Sequence, residues 1–280
     1  MIWLVQCRRW LRYCRAFLLT IPRCVKRLNR VTMPRSDCAL ASLQDPIWKP
    51  SVAAVKESIA FGSYVEFERH LRDNLPHNSP VTRQRYTQLI QRRFFPERSL
   101  DGLVPSVWRG YRDDHILADV MRVTLLEAES VIARFVLDYI LPQPPGTLLD
   151  RNIPTSFIEE TYGVFKRKCY QRLMGMCVHL GLLGRYDGDW VVQALPDPSN
   201  ALLVLLHARL APTPRIVRLN DLLGTSWWRL LGLRSADVVR RTLRNAAAAG
   251  LIAHYAVVDE LEQITTRFPA ADYIAQGRRL

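Results

Sequence analysis

The sequence lacks the motifs of the large enzyme families. It contains no P-loop, no GxGxxG turn after a strand, no HExxH zinc motif, no GxSxG nucleophile motif and no kinase signature. The carboxylate pairs Glu127/Glu129 and Glu159/Glu160 are spaced by two residues and one residue, so neither pair shares a helical face as an acid and its base would. An enzyme is not excluded by these absences, but we expect a non-enzymatic binding protein without a cofactor.

Signals for a metal site or a membrane span are also missing. The cysteines form no CxxC pair, and no histidine stands at zinc-ligand spacing from any of them. Asp113, Asp114 and His115 are better explained as residues that favour a helix start than as metal ligands. The apolar run Ala201–Leu206 is far shorter than the ~20 residues that cross a bilayer. We therefore expect a cytoplasmic protein with reduced thiols, no metal and no membrane span. The cysteines are Cys7, Cys14, Cys24, Cys38, Cys169 and Cys177.

Positive charge is abundant but unevenly distributed. The chain of 280 residues has a formal net charge of +13, and 49% of its residues are hydrophobic. Residues 1–35 hold nine Lys or Arg and no acid, whereas the remainder holds 30 basic and 26 acidic residues. The body of the protein is only mildly basic, so any affinity for nucleic acid must come from local clusters.

Residues 1–46 form a basic leader and linker. An apolar helical stripe runs from Trp3 to Ile21, and Arg8, Arg12 and Arg15 lie away from it, which predicts an amphipathic helix suited to an anionic membrane or partner. These arginines interrupt the apolar region that a secretory signal requires. Alternatively, translation begins at Met33. Both interpretations stay open, and the leader is given no function.

The N-terminal helical domain is predicted over residues 47–146. One or two helices span Ser51–Leu75, with a break near Gly62, and Ser79-Pro80 opens a basic helix over Val81–Phe94, which gives the outline of a helix-turn-helix. Inside this helix, the arginines have no acid at i±3 or i±4, so no pairing within the helix explains them. A single long helix is predicted over Asp113–Leu141, and the proline-rich segment after it marks the domain boundary.

The C-terminal domain, residues 147–280, contains two similar patterns. A basic helix over Phe157–Leu180 ends at Gly181 and is followed by a hairpin around Asp187-Gly188. Within Ser235–Phe268, a helix capped by Ser235 ends at Gly250, and strands follow over Leu251–Val257 and Leu261–Arg267. Both patterns predict winged-helix-like units with small β-hairpin wings.

The similarity of these units points weakly to a duplication. Aligning Gly181 with Gly250 also brings Arg172 onto Arg241, but few identities support the match. Between the units, Asn200–Ala211 is predicted as a buried helix. His207, Trp227 and Trp228 are predicted core residues, not ligands or stacking platforms.

Several short segments, in this order along the chain, carry a resemblance to a known family: Asn74-Leu75, Gln91–Phe94, Phe135–Asp138, His179–Leu183, Leu231–Leu233, Gly250–Ile252 and Ile264–Tyr273. They resemble the BrxA family of bacterial phage-exclusion (BREX) defence systems. The resemblance covers about residues 50–275, and none of its motifs is catalytic. It implies a mostly helical, non-enzymatic accessory protein that binds double-stranded DNA beside the other members of the defence system. The leader falls outside the resemblance.

The sequence thus predicts a mainly α protein that binds duplex DNA through arginine-phosphate contacts. A protein-interaction adaptor that assembles other defence proteins and an RNA-binding transcription regulator are the alternatives, and the scarcity of aromatic stacking residues disfavours the latter. The oligomeric state is left open. The predicted DNA-binding residues are Arg83, Arg85, Arg92, Arg93, Lys166, Arg167, Lys168, Arg172, Arg240, Arg241 and Arg244.

Overall fold

A computed structural model describes residues 43–259 and 261–280. The fold is mainly helical with two small antiparallel sheets, as predicted. Ser42–Leu280 form one compact unit, and the predicted division at residue 146 stays a prediction. The amphipathic leader helix and the alternative start at Met33 lie outside the described residues.

The described helices alternate with short strands in the second half of the chain. The first helices are α1 Trp48–Ser58, α2 Tyr64–Asn74, α3 Pro80–Phe94, α4 Leu103–Tyr111, α5 Asp114–Ala128 and α6 Ser130–Phe135, which continues as a π-helix over Val136–Ile140. The later helices are α7 Asn152–Tyr162, α8 Arg167–His179, α9 Ser199–Arg209, α10 Leu219–Leu223, α11 Trp227–Leu230, α12 Ala236–Ala248 and α13 Ala270–Ala275. The strands are β1 Leu148–Leu149, β2 Leu183–Tyr186, β3 Asp189–Val192, β4 Ile216–Arg218, β5 Ile252–Val258 and β6 Leu261–Thr266.

Capping side chains explain where several helices begin. The Asp113 carboxylate accepts hydrogen bonds from the amides of His115, at 2.9 Å, and Ile116, at 3.2 Å. It therefore caps α5, as the helix-start interpretation predicted. The Ser235 hydroxyl accepts from the Val238 amide and caps α12, also as predicted.

Two predicted long helices are each divided, and the single-helix predictions are wrong. The helix expected over Asp113–Leu141 breaks at Glu129, where φ is −121° and ψ is 72°. The helix expected over Phe157–Leu180 is interrupted at Gly163, whose φ of +74° ends α7 in the left-handed conformation. Gly163 adopts this conformation without steric strain because it carries no Cβ.

The two sheets have the same strand order. The first runs β1-β3-β2 and the second β4-β6-β5, and all pairs are antiparallel. The turn of the β2-β3 hairpin has positive φ at Asp187 (+48°) and Gly188 (+83°), which confirms the predicted Asp-Gly turn. The edge strands β1 and β4 were not predicted, since two or three residues carry little periodic signal.

The helices that precede the two hairpins end in the same way. Gly181 and Gly250 both have φ of +71°. The next amide reaches back to the helix in each case: Leu182 N to Cys177 O and Leu251 N to Ala246 O, both at 2.9 Å. The backbone therefore supports the alignment of the two units at these glycines.

The hydrophobic core runs from Leu43 to Ile274. His207 is fully buried, and Trp227 and Trp228 are 5% and 8% exposed, so all three are core residues as predicted. The last helix, α13, packs on α4, where the Tyr111 hydroxyl donates to the Arg278 carbonyl at 2.8 Å. The N-terminal helices therefore share one core with the C-terminal segment.

None of the helices described here has the length and apolarity that a bilayer span demands. Within the same residues, no three His, Cys, Asp or Glu side chains come together in a group that could hold a metal ion.

Candidate nucleic-acid interface

Arg83 of the basic helix α3 binds the turn before its own helix. Its Nε donates to the Arg72 carbonyl and its Nη1 to the His77 carbonyl, each at 2.8 Å. The guanidinium thereby satisfies carbonyl groups at the end of α2 and in the α2-α3 turn. This role is structural in the conformation described.

Arg92 and Arg93 both donate to Glu129, the residue at which the predicted long helix breaks. The Arg92 Nη2 lies 2.5 Å from Glu129 Oε1, and the Arg93 Nε lies 3.0 Å from the same oxygen. The Arg93 side chain is fully buried, and burial lowers its pKa while Glu129 acts in the opposite sense. Arg93 offers no surface to a ligand, so its predicted DNA contact is incompatible with this structure.

Asp45 joins Arg85 of α3 to Arg172 of α8. Its Oδ2 accepts from Arg85 Nη2 at 2.8 Å, and its Oδ1 accepts from Arg172 Nε at 2.7 Å. The structure therefore brings two predicted DNA-binding residues from different halves of the chain onto one carboxylate.

Arg240 of α12 is also paired. Its Nε donates to Glu262 Oε2 of β6 at 2.7 Å, and its Nη1 donates to Asp237 Oδ1 at 3.0 Å. These hydrogen bonds raise the pKa of Arg240. The side chain ties the helix to the hairpin and is only partly exposed.

Five predicted residues remain exposed with no carboxylate partner among the residues described. Lys166 lies 5.0 Å from the Tyr162 ring centroid, and Arg244 lies 5.7 Å from that of Tyr255. These contacts leave the positive charges unneutralised. We call these residues the exposed cation set: Lys166, Arg167 and Lys168 at the start of α8, and Arg241 and Arg244 on α12.

The cations at the start of α8 stand where they destabilise the helix. The N-terminus of a helix carries the positive end of its dipole, which favours acidic residues and disfavours basic ones. The first turn of α8 holds no acid, and no side chain caps it. By contrast, α12 begins with the Ser235 cap and with Asp237 in its first turn. The helix dipole therefore does not account for Lys166, Arg167 and Lys168 at this end of α8.

One further exposed cation was missed by the sequence reasoning. Arg185, on the β2-β3 hairpin, lies 4.2 Å from the centroid of the Trp190 ring, and its neighbour Tyr186 is 74% exposed. The predicted Asp-Gly hairpin was the available signal, because it fixes Arg185 and Trp190 as cross-strand partners.

Comparison with known proteins returned no matching family model, no matching curated protein and no matching solved structure.

Proposed function

We propose that this chain is a non-enzymatic protein that binds double-stranded DNA through the outer faces of α8 and α12. In this proposal each of these helices is the last helix before the hairpin of a winged-helix unit, and the hairpin is the wing. Two similar connectivities support it: an edge strand, then two helices in the first unit (α7, α8) and three in the second (α10, α11, α12), then a hairpin, with sheet orders β1-β3-β2 and β4-β6-β5. In winged helices the helix before the hairpin commonly approaches the duplex.

The observation that carries the proposal is the exposed cation set. All five charges lie on the helix that precedes a hairpin, and the described residues provide no carboxylate for them. An uncapped helix N-terminus surrounded by Lys166, Arg167 and Lys168 attracts an anion through both its amide groups and its side chains. Phosphate groups of a duplex meet this requirement.

Such contacts fix affinity more than sequence preference. Arginine and lysine that neutralise phosphates release counterions, so binding weakens steeply as salt rises. In the conformation described, the α3 arginines lie outside the proposed surface, because their guanidinium groups are hydrogen-bonded within the protein. A role beside other proteins of a phage-exclusion system is part of the proposal and rests on the resemblance to the BrxA family.

The test reverses the charge of the exposed residues on α12. We expect Arg241→Glu with Arg244→Glu to abolish retardation of a DNA duplex at 0.15 M salt, with an unchanged melting temperature. At lower salt, the slope of log affinity against log salt should fall by about two, because each substitution removes one arginine-phosphate pair. Fluorescence anisotropy with a labelled duplex measures both.

A matched control carries the same change in net charge elsewhere. Lys49→Glu with Arg69→Glu alters two exposed cations on α1 and α2 that lie outside the exposed cation set. If the control and the α12 variant lose binding equally, the loss is explained by the change in net charge, and α12 is not part of the interface.

Competition with single-stranded RNA distinguishes duplex-DNA binding from the RNA-binding transcription regulator. A protein that prefers RNA would release the labelled duplex when the RNA is added.

A protein-interaction adaptor is the second candidate, and the tip of the β5-β6 hairpin favours it. Val257, Val258 and Leu261 are 61%, 54% and 57% exposed, and Asp259 lies in the turn between them. An apolar tip with an acidic turn suits a protein surface better than a phosphate backbone. An adaptor would give no duplex retardation, and Val257→Ser with Leu261→Ser would reduce partner binding while leaving the melting temperature unchanged.

A further inference from the structure

Residues 43–47 form a short strap that precedes α1 and belongs to no helix or strand. Its two ends are anchored, since Leu43 is 2% exposed and Ile47 is 5% exposed. The strap has one acidic side chain, Asp45, and this carboxylate lies between α3 and α8.

Three predicted DNA-binding arginines converge on the strap. Arg85 and Arg172 donate to the two carboxylate oxygens of Asp45 at 2.8 and 2.7 Å. Arg172 also donates through Nη1 to the Leu43 carbonyl at 2.7 Å, and Arg93 Nη1 lies 3.4 Å from the Asp45 carbonyl. One carboxylate and two backbone carbonyl groups of the strap therefore bind arginines from two helices.

The strap interrupts a row of positive charge on α8. Lys168 and Arg172 are four residues apart and share one face of the helix, but Lys168 is exposed and unpaired within the described part of the chain, whereas Arg172 is partly exposed and paired with Asp45 of the strap. Without Asp45, the exposed cations at the start of α8 would extend along the helix to Arg172 and across to Arg85 of α3.

A phosphodiester is the ligand that these arginines would accept in place of Asp45. Carboxylate and phosphate oxygens both accept charge-assisted hydrogen bonds from guanidinium groups, and two arginines at one anion are a common arrangement for phosphate. Arg93 is excluded from the exchange because it is buried and bound to Glu129.

We propose that Asp45 is a built-in competitor that holds Arg85 and Arg172 away from the nucleic-acid phosphates bound by α8. The buried Leu43 and Ile47 keep the strap closed until phosphates displace the carboxylate. This inference rests on the proposed DNA binding and extends its surface by two arginines that are paired with Asp45 in the closed strap.

The test is Asp45→Asn, which removes the charge and keeps the size of the side chain. We expect duplex affinity at 0.15 M salt to rise about tenfold, a difference comparable to one charge-assisted hydrogen bond. Asp45→Glu retains the competing charge and should bind like the unaltered chain. As a control for net charge, Asp101→Asn removes a carboxylate paired with Arg109, outside both the strap and the exposed cation set, and should change affinity by no more than about twofold.

Hydrogen exchange in the unaltered chain gives a second measurement that needs no variant. The peptide over residues 43–47 should exchange faster when the duplex is saturating, and the Ile47 amide, which donates to the Asp45 carbonyl, should report the opening. If residues 43–47 exchange more slowly or at the same rate with the duplex bound, the proposal that phosphates displace Asp45 is wrong.

The outcomes separate the two proposals. Duplex binding by the unaltered chain, with the affinity of Asp45→Asn no higher than that of Asp101→Asn, overturns the competitor role and leaves the proposed function standing. No retardation by any variant overturns both. A gain confined to Asp45→Asn supports the competitor role.

Discussion

Arg93 was predicted to contact DNA, but its position in the fold gives it a structural role. Its position in a basic helix that contains no acidic residue predicted a DNA contact. Its guanidinium is instead fully buried against Glu129, which lies 36 residues away in the chain. A buried guanidinium needs such a partner, because an unpaired charge in the interior is strongly destabilising.

We expect Arg93→Met to lower the free energy of unfolding by about 3 kcal/mol, because Glu129 would lose its buried partner and keep only the exposed Arg92. Urea unfolding measures the loss. The double variant Arg93→Met with Glu129→Leu should recover part of it, since an apolar pair can replace a buried ion pair. A loss below about 1 kcal/mol in the single variant would show that the pair contributes little.

Whether the partner of a side chain could be predicted depended on how far apart the two residues lie in the sequence. The cap at Ser235 and the turn at Asp187-Gly188 involve residues a few positions apart, and both were predicted. The partners of Arg85 and Arg92 lie 40 and 37 residues away, on segments whose packing no local pattern reveals. The sequence therefore identified the cations of the candidate interface, but it could not separate the exposed ones from the paired ones.

At the scale of elements, the helix contact between α4 and α13 depends on one glycine. A Cβ on Gly110 would lie 2.0 Å from the Ile274 carbonyl oxygen, so the backbones approach too closely for any side chain. Glycine in a helix interior is otherwise unfavourable relative to alanine by about 1 kcal/mol. The close approach of α13 accounts for its presence here.

We expect Gly110→Ala to destabilise the protein by about 2 kcal/mol or more, because α13 must move away from α4. Gly175→Ala is a matched control in α8, where the new Cβ would meet only the Pro46 ring carbon at 3.4 Å. The control should stay within about 1 kcal/mol of the unaltered chain. Thermal unfolding of both variants measures the difference, and equal stability of the two would contradict the backbone contact.

The sequence predicted some of the helix ends correctly and missed others. Gly181 and Gly250 were recognised as helix ends because strand-like runs follow them, and both have positive φ. Gly163 and the break at Glu129 were missed, since apolar residues continue at helical spacing across both positions. At the Glu129 break, the Glu129 side chain contacts Arg92 and Arg93 of α3, and such tertiary contacts leave no signal in the local sequence.

At the scale of the whole molecule, the core crosses the boundary that the proline-rich segment after Leu141 predicted. Apolar residues from Leu43 to Ile274 belong to one cluster, and α13 packs on both α4 and α9. Shared burial of this kind couples the unfolding of the contributing segments.

We therefore expect residues 43–280 to unfold in a single cooperative transition when the full chain is heated in a calorimeter. The calorimetric enthalpy of this transition should equal its van't Hoff enthalpy. Two resolved transitions would show that the halves on either side of residue 146 are separate folding units. The same experiment with Gly110→Ala tests the coupling directly, because loosening α13 should broaden or divide the transition.

The packing of α13 on α4 also sets an order of events during synthesis. Translation proceeds from the N-terminus, so α4 emerges from the ribosome long before Tyr273 and Ile274, the buried residues of α13, have been made. Until then the face of α4 around Gly110 is open to solvent and to chaperones, and the core of the nascent N-terminal helices is completed only after α13 has been synthesised.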